Sequence, residues 1–334
     1  MSLFSKPLDF IAIGDITTDA FIRLKDARVT CDVNDENCTI SMRYGDKIPY
    51  EFVKIVRAVG NSSNAAISAS RLGLNSALIA NMGGDENGKM CLAVLKEEKV
   101  ETKFVNIQKD KETNYHYVLW FEKDRTILVK HQPFAYKLPN IDSPKWIYLS
   151  SMGENTEKYH DEIAEFLNKS PNTKLAFQPG TFQMSLGTER LKAIYARSEI
   201  FFCNREEAQR ILNKVSDTDI KELLLGLHML GPQMVVITLG PKGAYGADKT
   251  GIYFAPPFNP EEPAYERTGA GDAFASACTS ALALGKTLPE ALSWGAVNGM
   301  SVCRYIGARE GLLTTAQIQE ELTKRADYKI EKIS

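Results

Sequence analysis

The chain has no C-x-x-C pair; its six cysteines (Cys31, Cys38, Cys91, Cys203, Cys278, Cys303) are scattered. Its four histidines stand apart from one another and from any cysteine pair, so a metal held by His and Cys is not expected. Four of the cysteines sit among apolar residues, which reads as reduced core thiols of a cytosolic protein. No apolar run approaches the ~20 residues that a membrane-spanning helix needs. The start, Met1-Ser2-Leu3-Phe4-Ser5-Lys6, has no signal-peptide core. A cytoplasmic location is the expectation. A net charge of -2 offers no general attraction to nucleic acid or to an anionic membrane. Internal repeats and low-complexity segments are also lacking. What remains is 334 residues, 44% hydrophobic, enough for one large α/β domain or two smaller ones with a sizeable core.

Short apolar runs alternate with helical patterns. Phe10–Ile13, Ala77–Ala80, Trp146–Ser150, Leu175–Gln178, Ile200–Cys203 and Val235–Thr238 read as buried strands. Helices are expected over 65–72, 89–98 and 157–168, and again after Asn204. Such alternation implies a parallel sheet covered on both faces, with ligands beyond the carboxyl ends of its strands. Asp15, Asp85, Asn204 and Gly240 each follow a predicted strand. Two stretches break the rhythm. No long helix fits about 19–56, where Thr39–Met42 and Glu51–Val56 are strand-like. Over 113–130, Tyr115–Phe121 and Thr126–Val129 flank a polar turn as a hairpin. Together they make a small sheet standing off the main domain. From Thr314 onward the chain reads as a charged amphipathic tail with a solvated face.

The chemistry concentrates in Glu266-Arg267-Thr268-Gly269-Ala270-Gly271-Asp272, which runs into the alanine-rich stretch Ala273-Phe274-Ala275-Ser276-Ala277. A helix start carries unpaired N–H groups and partial positive charge, and glycines let an anion approach the backbone. Asp272 would repel a phosphate that was merely bound there. It gains a purpose if it takes the proton of a hydroxyl attacking phosphorus. An Asp-capped helix after a glycine turn is the plainer reading, and this stretch alone leaves both open.

The order of further motifs resembles the ribokinase or PfkB family of carbohydrate and nucleoside kinases, from Ile11 to about Leu313. The resemblance implies a three-layer αβα domain with a mostly parallel central sheet over 7–313. Lid segments at about 19–56 and 113–130 are inserted in it, and a charged C-terminal tail occupies 314–334. It implies an anion hole at Gly269, Ala270 and Gly271, with Asp272 as catalytic base. Gly14-Asp15-Ile16-Thr17-Thr18-Asp19 resembles the family's first strand exit, where Asp19 holds substrate hydroxyls. Gly60-Asn61-Ser62-Ser63-Asn64 resembles the glycine-rich sugar-contacting segment, with Gly60 and Asn64 matching. Asn204 and Glu207 match an N-x-x-E element linked to phosphate and magnesium, Glu207 acting on Mg²⁺ through water. Thr238, Gly240 and Gly243 match the loop along the nucleotide, and Gly307-Ala308 with Asn298 the wall of the adenine pocket.

The implied activity is transfer of the γ-phosphoryl group of ATP to a hydroxyl of a small sugar, in the manner of ribokinase or fructokinase. A nucleoside kinase of the same fold is the alternative, and a non-catalytic sugar or nucleotide binder a weaker one. The first strand lacks G-x-G-x-x-G, which counts against a dinucleotide oxidoreductase. Taken singly, Asp19 suits a turn, Gly60 and Asn64 a helix cap, and Asn204 with Glu207 a capping box. Their order, each after its strand, favours the kinase. Val59 replaces the first glycine of a pair, and Gln178-Pro179-Gly180 matches no substrate-naming loop. Glu266 and Arg267 replace the usual Asp-Thr, which counts against the monovalent cation found there in many members. Apolar residues at alternate lid positions, among them Ile55, Tyr117 and Leu119, lead to the expectation of a homodimer joined through the lids.

Overall fold

The structure is a computed structural model, described here for residues 7–31, 38–122, 124–259 and 261–333. Its strands are β1 (Phe10–Ile13), β2 (Thr17–Leu24), β3 (Arg28–Thr30), β4 (Thr39–Ser41), β5 (Tyr50–Val59), β6 (Ser76–Gly83), β7 (Val105–Gln108) and β8 (Asn114–Phe121). They continue with β9 (Asp124–Leu128), β10 (Trp146–Leu149), β11 (Lys174–Phe177), β12 (Ser198–Asn204), β13 (Met234–Thr238), β14 (Ala244–Asp248), β15 (Gly251–Ala255) and β16 (Glu331–Lys332). The helices are α1 (Asn61–Arg71), α2 (Glu86–Glu97), α3 (Glu157–Lys169), α4 (Thr181–Leu186) and α5 (Lys192–Arg197). After them come α6 (Arg205–Leu212), α7 (Ile220–His228), α8 (Ala270–Ala283), α9 (Leu288–Val302) and α10 (Thr315–Lys324).

Continuous apolar strands need cover on both faces, and they have it. One sheet runs β16-β15-β14-β13-β12-β11-β10-β1-β6-β7, parallel from β13 to β7 and antiparallel at its β14 to β16 edge. On one face Phe10, Ala12, Tyr148, Ile200 and Phe202 meet α1, α2, α8 and α9. On the other Ile11, Ile13, Leu149, Phe177 and Phe201 meet α3, α5, α6 and α7. Fully burying one such side chain contributes about 1.5–3 kcal/mol. The three-layer fold is as the motifs imply. Helices α8 and α9 pack closely because glycine faces the contact, where a Cβ on Gly295 would lie 2.6 Å from Cys278 Sγ.

The small sheet has the order β5-β2-β8-β9, with β2 parallel to β8 and antiparallel to β5. Side chains alternate across it. Asp19, Phe21, His116, Val118 and Val56 share the inner face, and Ile55, Ala20, Tyr117 and Leu128 form a cross-strand row on the outer one. A second hairpin, β3–β4, lies beside a Cys31–Cys38 disulfide. That pair was not foreseen, and a reducing compartment would keep it open. Cys91, Cys203, Cys278 and Cys303 are buried free thiols, as their apolar neighbours suggest.

The charged amphipathic stretch from Thr314 is docked on the domain as far as Ile333. Ile318 of α10 is fully buried in the first core, with Leu322, Tyr328 and Ile330 beside it, and β16 extends the main sheet. The exposed residues of α10 are mostly polar or charged, and Ile318 marks its inner side. Among the described residues no helix is long and apolar enough to cross a membrane.

Candidate active site

At the start of α8, Gly269 has φ +82°, and a Cβ there would lie 2.1 Å from Ala308 Cβ. Only glycine accommodates both the turn and the contact. Gly271 faces open space, and no side chain caps the helix that follows through Ala270. The bare N-terminus can therefore hold an anion.

Asp272 sits in this first turn. Asn64 Nδ2 donates to its Oδ2 at 2.9 Å and Gln178 Nε2 donates to its Oδ1 at 3.3 Å. Burial pushes the carboxyl up to about 6, further raised by the charges of Glu207 and Asp19 and opposed by the two amide donors. Such a group is ionised at neutral pH yet basic enough to accept a proton in a transition state.

Asn64 is brought there by a close backbone approach. Gly60 has φ +105°, a Cβ on it would lie 2.8 Å from the Asp15 carbonyl oxygen, and Ser62 Oγ donates to that same oxygen at 2.9 Å. The first turn of α1 thus presses on the exit of β1. From the inner lid face, buried Asp19 has His116 Nδ1 at 3.4 Å. Asp19 Oδ1, Asn64 Oδ1 and His116 Nε2 are buried without hydrogen-bond partners. Each such group costs about 1–3 kcal/mol, which a ligand rich in hydroxyls would relieve. Asp15, by contrast, is satisfied. It accepts from Tyr136 Oη (2.8 Å), Gly153 N (2.8 Å) and His131 Nδ1 (3.0 Å). The His131 ring lies edge-on to His116 and to Phe182, at 5.5 and 5.6 Å between centroids.

Asn204 and Glu207 form a reciprocal capping box on α6. Asn204 N donates to Glu207 Oε2 and Glu207 N donates to Asn204 Oδ1, both at 2.8 Å. Burial raises the Glu207 carboxyl, opposed by the Asn204 N–H and by Arg210. Thr238 pairs with Asn204 across adjacent strands, so both reach the same carboxyl edge of the sheet. Gly240 (φ +56°) and Gly243 (φ +95°) bracket the turn beyond, and a Cβ on Gly243 would lie 2.3 Å from the Ala255 carbonyl oxygen. Asn298 does not join them. It is fully buried, donating from Nδ2 to the Ala273 carbonyl (3.0 Å) and accepting from Leu313 N (2.9 Å). It ties α9 to α8 as an internal brace.

The fold thus gathers Asp272, Asn64, Asp19 and Gly60, and brings the Glu207 charge within reach of Asp272. Gln178, Tyr148, His116, His131 and Asp15 were given no role on sequence. The signal available was a polar side chain just beyond a buried strand, which Asp15 and Gln178 both show.

A family model described as pfkB family carbohydrate kinase matches residues 55–315. The chain belongs to the pfkB family of carbohydrate kinases. It is a phosphotransferase with an alcohol as acceptor, a sugar or nucleoside kinase of that family. The ATP-dependent 6-phosphofructokinase of Thermoanaerobacterium thermosaccharolyticum is 29% identical over 283 residues, 80% of this chain and 85% of that protein. A nucleoside kinase of Methanothermobacter thermautotrophicus is 25% identical over 272 residues, covering 80% and 83%. Among solved structures, Arabidopsis thaliana ribokinase complexed with ribose and ATP superposes with TM-score 0.78 at 16% identity, over 95% of this chain and 99% of that one. The Methanocaldococcus jannaschii nucleoside kinase gives TM-score 0.76 at 19% identity, over 96% and 100%. These two confirm the fold of this pfkB kinase.

Proposed function

We propose that this pfkB kinase transfers the γ-phosphoryl group of ATP to a hydroxyl of a small sugar, with Asp272 as the base. The observation that carries the reading is Asp272 itself, a carboxylate held by two amides in the first turn of a helix whose N-terminus is bare. A phosphate there would be met by the amides around Gly269, Ala270 and Gly271. Asp19 and Asn64, with orphaned oxygens, would hold hydroxyls of the acceptor, and so place the nucleophile in line. Asp272 takes the hydroxyl proton as the bond to phosphorus forms. Asn204, Thr238, Gly240 and Gly243 line the edge along which the nucleotide would lie.

Glu207 suits Mg²⁺ held largely through water. One of its oxygens takes the Asn204 N–H, and no cluster of three or more His, Cys, Asp or Glu ligands occurs among the described residues. When bound, the ion supplies charge neutralisation on the phosphates. A monovalent cation beside Glu266 fits poorly. That carboxylate already accepts from Thr268 N (2.8 Å), Thr268 Oγ1 (2.6 Å) and Gly307 N (3.3 Å), and Arg125 Nε stands 3.7 Å away.

A nucleoside acceptor is the second reading, favoured by the aromatic edge that Phe182 and His131 present near His116. An ATP-coupled phosphorylation panel separates the two: ribose, fructose, fructose 6-phosphate and 2-keto-3-deoxygluconate against adenosine and inosine. Turnover confined to the nucleosides would overturn the sugar assignment. We also place a homodimer contact on the outer lid face, where Val53, Ile55, Tyr117 and Leu128 are exposed.

A further inference from the structure

We infer that Gln178, its amide set by Tyr148, is a positioning residue that keeps Asp272 ionised and aimed, an inference that rests on Asp272 being the base. Tyr148 ends near the top of β10, and Gln178 follows β11 directly; the two strands are parallel neighbours, and Gln178 N donates to the Leu149 carbonyl at 2.9 Å. The backbone of Gln178 is therefore fixed relative to Tyr148. The Tyr148 hydroxyl donates to Gln178 Oε1. This leaves the Nε2 hydrogens on the opposite side, where one meets Asp272 Oδ1 at 3.3 Å. Turned the other way, the amide would set its carbonyl oxygen against a carboxylate.

Asn64 serves the other oxygen, so Asp272 lies between two primary amides. The charges that act most on it are of its own sign, Glu207 from α6 and Asp19 from β2, and the Tyr148 hydroxyl is a further titratable neighbour. Among the described residues no cation is one of its main charge partners. The two amides, with the partial positive charge of the α8 N-terminus, favour the ionised form, and only an ionised carboxylate can accept the proton. Asn64 also belongs to the acceptor pocket. Gln178 touches Asp272 and Tyr148 alone among the side chains with which it bonds. Its removal should therefore act through the base rather than through acceptor affinity.

The test uses full-length protein carrying [4-¹³C]aspartate, titrated by NMR in metal-free buffer. The Asp272 signal is assigned by its loss in Asp272→Asn. Gln178→Met keeps the length of the side chain without a donor, and Tyr148→Phe keeps the ring without the hydroxyl. Loss of one charge-assisted hydrogen bond should raise the Asp272 midpoint by about one pH unit, tenfold in ionisation, in Gln178→Met. Tyr148→Phe should move it the same way by less. In turnover with the acceptor found by the panel, the acid limb of kcat/KM against pH should rise by the same amount, with the KM for ATP unchanged. An unchanged midpoint in Gln178→Met overturns the inference. If Asp272→Asn keeps full turnover, the base assignment fails instead, while the NMR midpoint still reads the Gln178 contact independently.

Discussion

Asp272→Asn should make the protein more stable while nearly abolishing its turnover. Burial lifts this carboxyl from its ordinary 3.8 to about 6, so the folded state favours the protonated form. Between those values the folded chain binds more protons than the unfolded one, and stability falls as pH rises through the window. The cost is absent below 3.8, grows up to about 6 and is complete above it. At ~1.4 kcal/mol per pH unit it amounts to roughly 3 kcal/mol at neutral pH. Asp272 is half-buried, and screening by water reduces this to about 1–2 kcal/mol. An asparagine removes the charge and keeps the shape. Its NH₂ group can be received by Asn64, whose Oδ1 has no hydrogen-bond partner, after that amide turns over. Urea unfolding at pH 7.5 and at pH 4.5 measures the effect. The gain should appear at pH 7.5 and shrink at pH 4.5, where wild-type Asp272 is itself largely protonated. Turnover should fall by about two or more orders of magnitude, the scale of general-base loss, with ATP binding retained. A variant no more stable at pH 7.5, or one whose gain ignores pH, would refute the electrostatic argument.

Asp19→Ala should raise the KM for the acceptor about tenfold or more and leave ATP affinity nearly unchanged, since one lost charged hydrogen bond is worth ~1.5–3 kcal/mol; isothermal titration with each ligand checks it. Glu207→Gln should raise the Mg²⁺ concentration needed for half-maximal turnover while keeping the fold, because glutamine preserves the bond from Asn204 N; circular dichroism and an Mg²⁺ titration read the two parts. Light scattering should give a dimer at micromolar concentration, and Leu119→Lys, in the outer apolar row beside Val53 and Ile22, should return a monomer.

The sheet was legible because strands buried on both faces must be apolar throughout, as Phe10–Ile13 and Trp146–Leu149 are. The turn before α8 was legible for a different reason: a glycine at φ +82° and a carboxylate at a helix start are a local requirement, written in adjacent residues. What the chain order hides is long-range pairing. Gln178 and Asp272 are 94 residues apart, and glutamine carries no mark that its amide will meet a carboxylate. His116 gave no signal either, since a histidine in an aromatic strand reads as packing until β2 brings Asp19 beside it. Nor does the chain order show that Asn298, on the helix that resembles an adenine-pocket wall, has its amide engaged by the backbone groups of Ala273 and Leu313.

The departure at Glu266 acquires a physical sense from the lid. Its carboxylate is almost fully buried, and the guanidinium that approaches it comes from Arg125 on β9. Trp120 of β8 lies edge-on to Tyr265 at 5.3 Å between centroids, and Lys54 of β5 pairs with Glu310. Val56 fills the space that a Cβ on Gly307 would need. Three lid strands therefore rest on the 265–266 and 307–310 loops, and Ala308 of the second is the residue that packs on Gly269 at the start of α8. Moving the lid away would strip Glu266 of its facing cation and leave a buried carboxylate supported only by N–H and O–H donors, a costly state. The same motion would withdraw Asp19 and His116 from the side of Asp272. On the proposed reading, the acceptor end at Asp19 and the phosphate end at Gly269 are thus linked through the loops that bear Glu266 and Ala308.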